Sequence, residues 1–434
     1  MTLVSIFNLA AIVVTLAALF GYVNHRWLRL PHTIGIVIIA LGVSFSALIL
    51  DRLFPGLRFE NSIREVLLQI DFHEALMKCM LSFLLFAGAM HVDLGGLLSR
   101  KWAILSMATV GTLISTGLIG GAMFLMLRAI GFDLALPYCL VFGALISPTD
   151  PIAAISILKK IRVPETLQIK IAGESLFNDG IGVVIFTILA SMAIDGGQHG
   201  DTFSAGTVAT LFFREAVMGA VLGLIAGYVA YRAMRSIDEH NLEVLITLAL
   251  VMATYSVALA LHLSGPIAMV IAGLFIGNHG VRFAMTAATR DHIDKFWSLL
   301  DEILNSVLFL AIGFEVLTLT FSRDIIFVMI LAIPIVLSAR FISVAVPISI
   351  LGLRREFTKG VIPVLTWGGL RGGISVALAL SLPAVPAKPL ILAATYSVVI
   401  FSIVVQGLTI ETLVRRTVRS GRDDRLRAAA TQWD

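Results

Sequence analysis

Ser147-Pro148-Thr149-Asp150-Pro151 sets two prolines around an acid inside an apolar run. Thr366-Trp367-Gly368-Gly369-Leu370-Arg371-Gly372-Gly373 sets four glycines around an arginine inside another. Proline lacks an amide donor and clashes with the preceding turn, so the first helix should break near Asp150, and the glycines should loosen the second. At membrane depth a broken helix persists only where protein or a water-filled cavity surrounds the freed backbone groups. The two stretches are therefore predicted to lie within protein or beside a water-filled cavity, away from lipid.

That these runs lie in a membrane follows from composition. The chain has 434 residues, of which 58% are hydrophobic and 14% charged, and a mean hydropathy of +0.96. A soluble core stops growing near ~250–300 residues, so the remaining apolar area must face lipid. With about 20 apolar residues needed per crossing, thirteen segments emerge. They lie near 4–23, 31–50, 75–92, 102–127, 134–158, 169–194, 215–234, 242–262, 264–280, 297–318, 324–350, 360–382 and 390–413. The expected fold class is an all-α polytopic membrane protein with thirteen transmembrane helices, helices five and twelve being broken. Those two are seven apart, an odd offset, so they run in opposite directions. Two inverted six-helix repeats joined by one extra helix would require this, and paired interruptions in inverted halves point to a transporter's binding site.

Lys and Arg alternate between the connections. Twenty-two of the 32 fall in one set, which includes Arg26, Arg100, Lys101, Lys159, Lys170, Arg235, Arg354 and the arginines of the tail. Only seven, such as Arg128 and Lys388, fall in the other. This asymmetry predicts an outside N-terminus and a cytoplasmic C-terminus in the plasma (inner) membrane. Residues 1–413 form the membrane domain and 414–434 a short Arg-rich cytoplasmic tail. Met1 to Leu3 carries no basic stretch before the first apolar run, so that run is not read as a signal peptide. Cys79 and Cys139 both lie in apolar runs and suggest neither a disulfide nor a metal site. No nucleophile–histidine pair, HExxH or nucleotide cradle is present. The chain is expected to be no enzyme, to need no cofactor and to bind no nucleic acid.

Each ionisable residue inside a span costs about 2.5–3.5 kcal/mol or more and needs a reason. The sixth segment contains Gly173-Glu174-Ser175-Leu176-Phe177-Asn178-Asp179-Gly180. Glu174 and Asn178 are four apart, as are Ser175 and Asp179, which predicts one narrow polar stripe. Thr149 and Asp150 would join it from the broken fifth segment. Arg340, in segment eleven, and Arg371 are the available counter-charges; one of them is expected on Glu174, leaving Asp150 and Asp179 for exchangeable ligands. Hard cations prefer oxygen ligands. Burial favours a carboxyl's protonated form and a bound cation its ionised form, so a proton and a sodium ion become rivals for Asp179.

At these motifs the chain resembles the monovalent cation/proton antiporters of the NhaP branch, relatives of the eukaryotic sodium/proton exchangers. The matching stretches are Gly143 to Pro151, Gly173 to Gly180, Ala339-Arg340-Phe341 and Gly368 to Gly373. The resemblance implies a homodimer, with dimer-domain spans in 1–92 and 242–318, core-domain spans in 102–194 and 324–413, and a linker helix at 215–234. It implies Asp179 as carrier of cation and proton, with Thr149, Asp150 and Ser175 completing the sodium site. Asn178 beside Asp179 implies an electroneutral exchange. Glu174 would pair with Arg340, and Arg371 would support the crossing of spans five and twelve. Some relatives carry an acid in the third span where this chain has Ala87. Nearby, His91 and Asp93 read as a polar pair at headgroup level. Potassium/proton exchange is the alternative, and an ion channel a more distant one, since no filter-like repeat is visible.

Overall fold

The structure, a computed structural model, describes residues 3–54, 80–150, 165–195, 205–318, 322–352 and 360–417. Pro151 and the rest of the fifth predicted segment, residues 151–158, lie outside the described residues. So do residues 75–79 of the third segment with Cys79, the stretch 196–204, the charged connections at 55–74, 159–164 and 353–359, and the tail beyond Thr417. In chain order the helices are α1 (Leu3–Val23), α2 (His32–Leu53), α3 (Leu81–Met90), α4 (Leu94–Ser99) and α5 (Lys101–Ala129). Next come α6 (Leu136–Ile146), α7 (Glu165–Asp195), α8 (Ala205–Met234), α9 (His240–Ala260) and α10 (Gly265–Phe275). The last are α11 (Ala287–Glu315), α12 (Arg323–Gly352), α13 (Val361–Gly368), α14 (Gly373–Ser381) and α15 (Lys388–Thr417).

Among the described residues ten helices are long and apolar enough to cross a bilayer, and α3 and α6 are shorter apolar helices. The chain is thus a multi-pass, all-helical membrane protein. Every one of the thirteen predicted segments contains helix. Several boundaries differ from the prediction. α11 begins at Ala287 rather than 297, because Thr286 caps it by accepting from the Thr289 N–H at 3.4 Å. Its exposed first turns then carry the i,i+4 pairs Arg290–Asp294 (3.6 Å) and Asp291–Lys295 (2.5 Å), which suit a helix end in water. α8 likewise starts at Ala205, ahead of the predicted 215. Lys170, counted with a connection, lies inside α7.

Only four residues, Leu261 to Ser264, join α9 and α10. His262 takes a left-handed conformation at φ 54°, the Leu263 N–H returns to the Ala258 carbonyl at 2.8 Å, and Ser264 caps α10 by accepting from Ile267 N–H at 3.3 Å. The closing bonds of one helix and the cap of the next thus fit in a single tight turn.

Without a hydrophobic force between helices in lipid, close packing and hydrogen bonds hold the bundle. α5 lies along α6, α12 along both α5 and α15, and α7 along α6; α3 and α8 flank α10, and α2 lies along α11. One buried apolar cluster includes Phe142, Phe309 and Tyr396. The other includes Phe86, Met269 and Trp297. Trp297 is fully buried, packs on Phe86 at 4.7 Å between ring centroids and donates to Thr247 Oγ1 at 3.0 Å.

Candidate functional site

Both breaks are present on their described sides. α6 stops at Ile146, and α13 and α14 are separated by Gly369 to Gly372. Proline alone does not open a helix here, because Pro334 and Pro347 sit inside the continuous α12. What distinguishes Ser147–Asp150 is that its freed backbone groups find partners. The Asp150 N–H donates to the Leu370 carbonyl at 2.7 Å, an isolated antiparallel bridge between the two breaks. Arg371 Nη1 donates to the Ser147 carbonyl and, at 2.8 Å, to the Pro148 carbonyl. The Thr149 N–H donates to Asn178 Oδ1 at 3.2 Å, and Ser175 Oγ donates to the Thr149 carbonyl. On the other break, the Arg371 N–H donates to Ser402 Oγ at 2.8 Å, where a π turn at Ser402–Gln406 widens α15. Buried backbone groups left unpaired are costly, so this pairing makes the crossing stable.

The glycines let the chains approach. A Cβ at Gly372 would fall 2.8 Å from Asp150 Cγ, and one at Gly369 would fall 2.8 Å from Arg340 Nη2.

On α7 the predicted single stripe divides. Successive helical residues differ by about 100°, so four neighbouring polar side chains cannot all face one partner. Glu174 turns to Arg340, with Oε1 and Nη1 2.5 Å apart and both side chains buried; Arg340 Nη2 also donates to the Leu365 carbonyl at 3.1 Å. Asn178 grips Thr149 twice, since its Nδ2 donates to Thr149 Oγ1 at 2.9 Å while its Oδ1 takes the Thr149 N–H. Asp179, with Ala172 and Leu176, faces a cavity instead.

That cavity has a volume of about 540 Å³. It runs from exposed His91, Asp93 and Ser298 to Thr149, Asp150 and Asp179. α3, α7, α11 and the two breaks all contribute lining residues. Asp179 is 6% exposed, and its Oδ1 has no hydrogen-bond partner among the described residues. Asp150 repels its charge and Arg371 attracts it. A buried oxygen of this kind in a roomy polar cavity suits a ligand that brings positive charge or a proton.

His91 and Asp93 do not pair with each other. Asp93 caps α4, accepting from the Gly96 N–H at 2.6 Å, and His91 bonds the Ala87 carbonyl (2.7 Å) and Ser298 Oγ (3.2 Å). Ala87 is buried and does not line the cavity. Two lining residues, Asp301 and Asn305, were not anticipated. The signal was present, because an acid inside a predicted span needs a reason, and Asp301 lies within 297–318.

Interrupted helices crossing beside a buried carboxylate, in a multi-pass helical protein, define a secondary transporter. The chain belongs to the family described as sodium/hydrogen exchanger, transmembrane, which matches residues 13–416. It is 47% identical over 414 residues to the Na(+)/H(+) antiporter NhaP of Pseudomonas aeruginosa, covering 94% of this chain and 96% of the relative. It is 34% identical over 392 residues to the Na(+)/H(+) antiporter NhaH of Halobacillus dabanensis, covering 90% and 93%. The sodium proton antiporter MjNhaP1 of Methanocaldococcus jannaschii, solved at pH 8, shares the fold with a TM-score of 0.73. Its identity is 18%, and the match covers 96% of this chain and 99% of that one.

Proposed function

We propose that the chain is an electroneutral sodium/proton antiporter of the plasma membrane, also accepting lithium, in which cation and proton compete for Asp179. The observation that carries this is the Oδ1 of Asp179, which lines the cavity and has no hydrogen-bond partner among the described residues. Thr149, Asp150 and Ser175 supply the neighbouring oxygen atoms for sodium. Asn178 is neutral and engaged with Thr149 on both of its amide atoms, so one carboxylate carries one charge each way. Glu174, Arg340 and Arg371 hold the frame rather than the ion. Two copies form a homodimer through spans in 1–92 and 242–318, against which the spans in 102–194 and 324–413 move as a core, joined by the helix at 215–234. His91 and Asp93, which line the cavity's exposed end, belong to the same connection as Arg100 and Lys101 in the Lys- and Arg-rich set, which supports a cytoplasm-facing state, a cytoplasmic C-terminus and an outside N-terminus.

The test is purified protein in vesicles loaded with a pH dye, given sodium, lithium or potassium across a range of pH. Sodium and lithium are expected to move protons, and an imposed membrane potential is expected to leave the rate unchanged. A response to potassium in place of sodium would install potassium/proton exchange instead. In the same vesicles Gly372→Ala is expected to lower exchange several-fold at subsaturating sodium, since the new methyl group displaces the Asp150 carboxylate.

A further inference from the structure

Along α11, Ser298, Asp301, Asn305 and Leu308 recur at helical spacing and line the cavity together with residues of α7 and the breaks. Asn305 is 2% exposed. Its Nδ2 donates to the Asp301 carbonyl at 2.8 Å, which fixes the amide orientation, because the flipped amide would set two oxygens against each other. Its Oδ1 then has no hydrogen-bond partner among the described residues, although the residue borders the cavity. A buried acceptor without a donor calls for a ligand. One turn nearer the mouth stands the half-buried carboxyl of Asp301, whose charge interacts with that of Asp150. The other acid at the mouth, Asp93, is engaged in capping α4.

We propose that Asp301 and Asn305 form an outer site for the transported monovalent cation, occupied on its way to Asp179. Asp301 contributes the charge and Asn305 Oδ1 a neutral oxygen, the ligand types hard cations take. At about 540 Å³ the cavity has room for several waters at ~30 Å³ each, so an ion there keeps part of its hydration shell. The site lies on α11 and Asp179 on α7, so a cation passes from one helix to the other as it loses water. The inference rests on the reading of Asp179 as carrier, yet it assigns the first binding step to different residues on a different helix.

The test is sodium-dependent proton movement in vesicles, with KM and maximal rate measured separately. Asp301→Asn is expected to raise the KM for sodium about tenfold, the effect of one charge removed at a few ångströms in a partly aqueous vestibule, with the maximal rate within about twofold. Asp301→Glu restores the charge and is expected to bring KM most of the way back. Asn305→Leu keeps the side-chain volume but removes the oxygen; a rise in KM is expected there too, and it carries the test if Asp301→Asn fails to reach the membrane. Asp179→Asn serves as the control. If that control is inactive while Asp301→Asn and Asn305→Leu both keep the wild-type KM, the outer site is wrong and the carrier stands. A fall in maximal rate with KM unchanged likewise overturns it. If Asp179→Asn is itself active, it is the carrier reading that fails.

Discussion

Asp179→Asn is expected to reduce sodium-driven proton movement to the level of protein-free vesicles while leaving the protein folded in its membrane. The substitution is isosteric and removes only the ability to ionise. Asparagine cannot take up and release a proton in the working range, and its neutral oxygen gives a cation no compensating charge. Competition between the two ions therefore loses its site. Stability should change little, because two terms oppose each other. Neutralising a buried carboxyl relieves desolvation, while the attraction between Asp179 and Arg371 disappears. The melting temperature of the detergent-purified variant is expected to stay within a few degrees of the parent. An inactive variant that melts normally assigns the chemistry to this carboxyl. Full exchange by the variant would move the carrier elsewhere, Asp150 being next in line along the same cavity.

The reason Asp179 was legible in the sequence is energetic. A carboxyl within an apolar run is costly, so its presence at Asp179, beside Asn178 and facing a Pro-flanked Asp150, required a use. The two breaks were legible for a similar reason, since Pro148 and the glycines at 368–373 weaken helix where helix is otherwise obligatory. The resemblance implied that the breaks cross at Arg371, but not which atoms join them. Arg371 reaches carbonyls at Ser147 and Pro148, and Asn178 holds Thr149 by two bonds. These contacts depend on distances between segments far apart in the chain, and no local pattern encodes them. Asp301 and Asn305 escaped for another reason. Both lie within segment ten, but no helix-breaking residue marks them, and which face of α11 lines the cavity depends on packing against distant segments. The same cost argument that singled out Asp179 applies to Asp301. The Glu174–Arg340 pair is intermediate: the cost of two buried charges demanded a partner without naming it, the family resemblance implied Arg340 rather than Arg371, and the structure has that contact at 2.5 Å.

That pair gives the second large effect. Glu174→Leu strands the Arg340 guanidinium among apolar groups, and Arg340→Met strands the Glu174 carboxylate. Either single change is expected to cost about 3–5 kcal/mol, the usual penalty for an uncompensated buried charge. The double variant removes both charges together and should be more stable than either single one. It is not expected to match the parent, because the Leu365 carbonyl loses the bond from Arg340 Nη2, an unpaired buried acceptor worth about 1–3 kcal/mol. Thermal unfolding of all four proteins in one detergent closes the cycle. Additive losses would mean that the two side chains do not act as a pair. The vesicle assay then separates frame from ion site. Neither residue borders the main cavity, so the double variant should keep the parent's KM for sodium wherever it survives reconstitution. A large KM shift there would place Glu174 among the ion's own ligands and make Arg340 its regulator. The expected result instead assigns the pair to holding α7 against α12 and the end of α13, while Asp179 remains available to the transported ion.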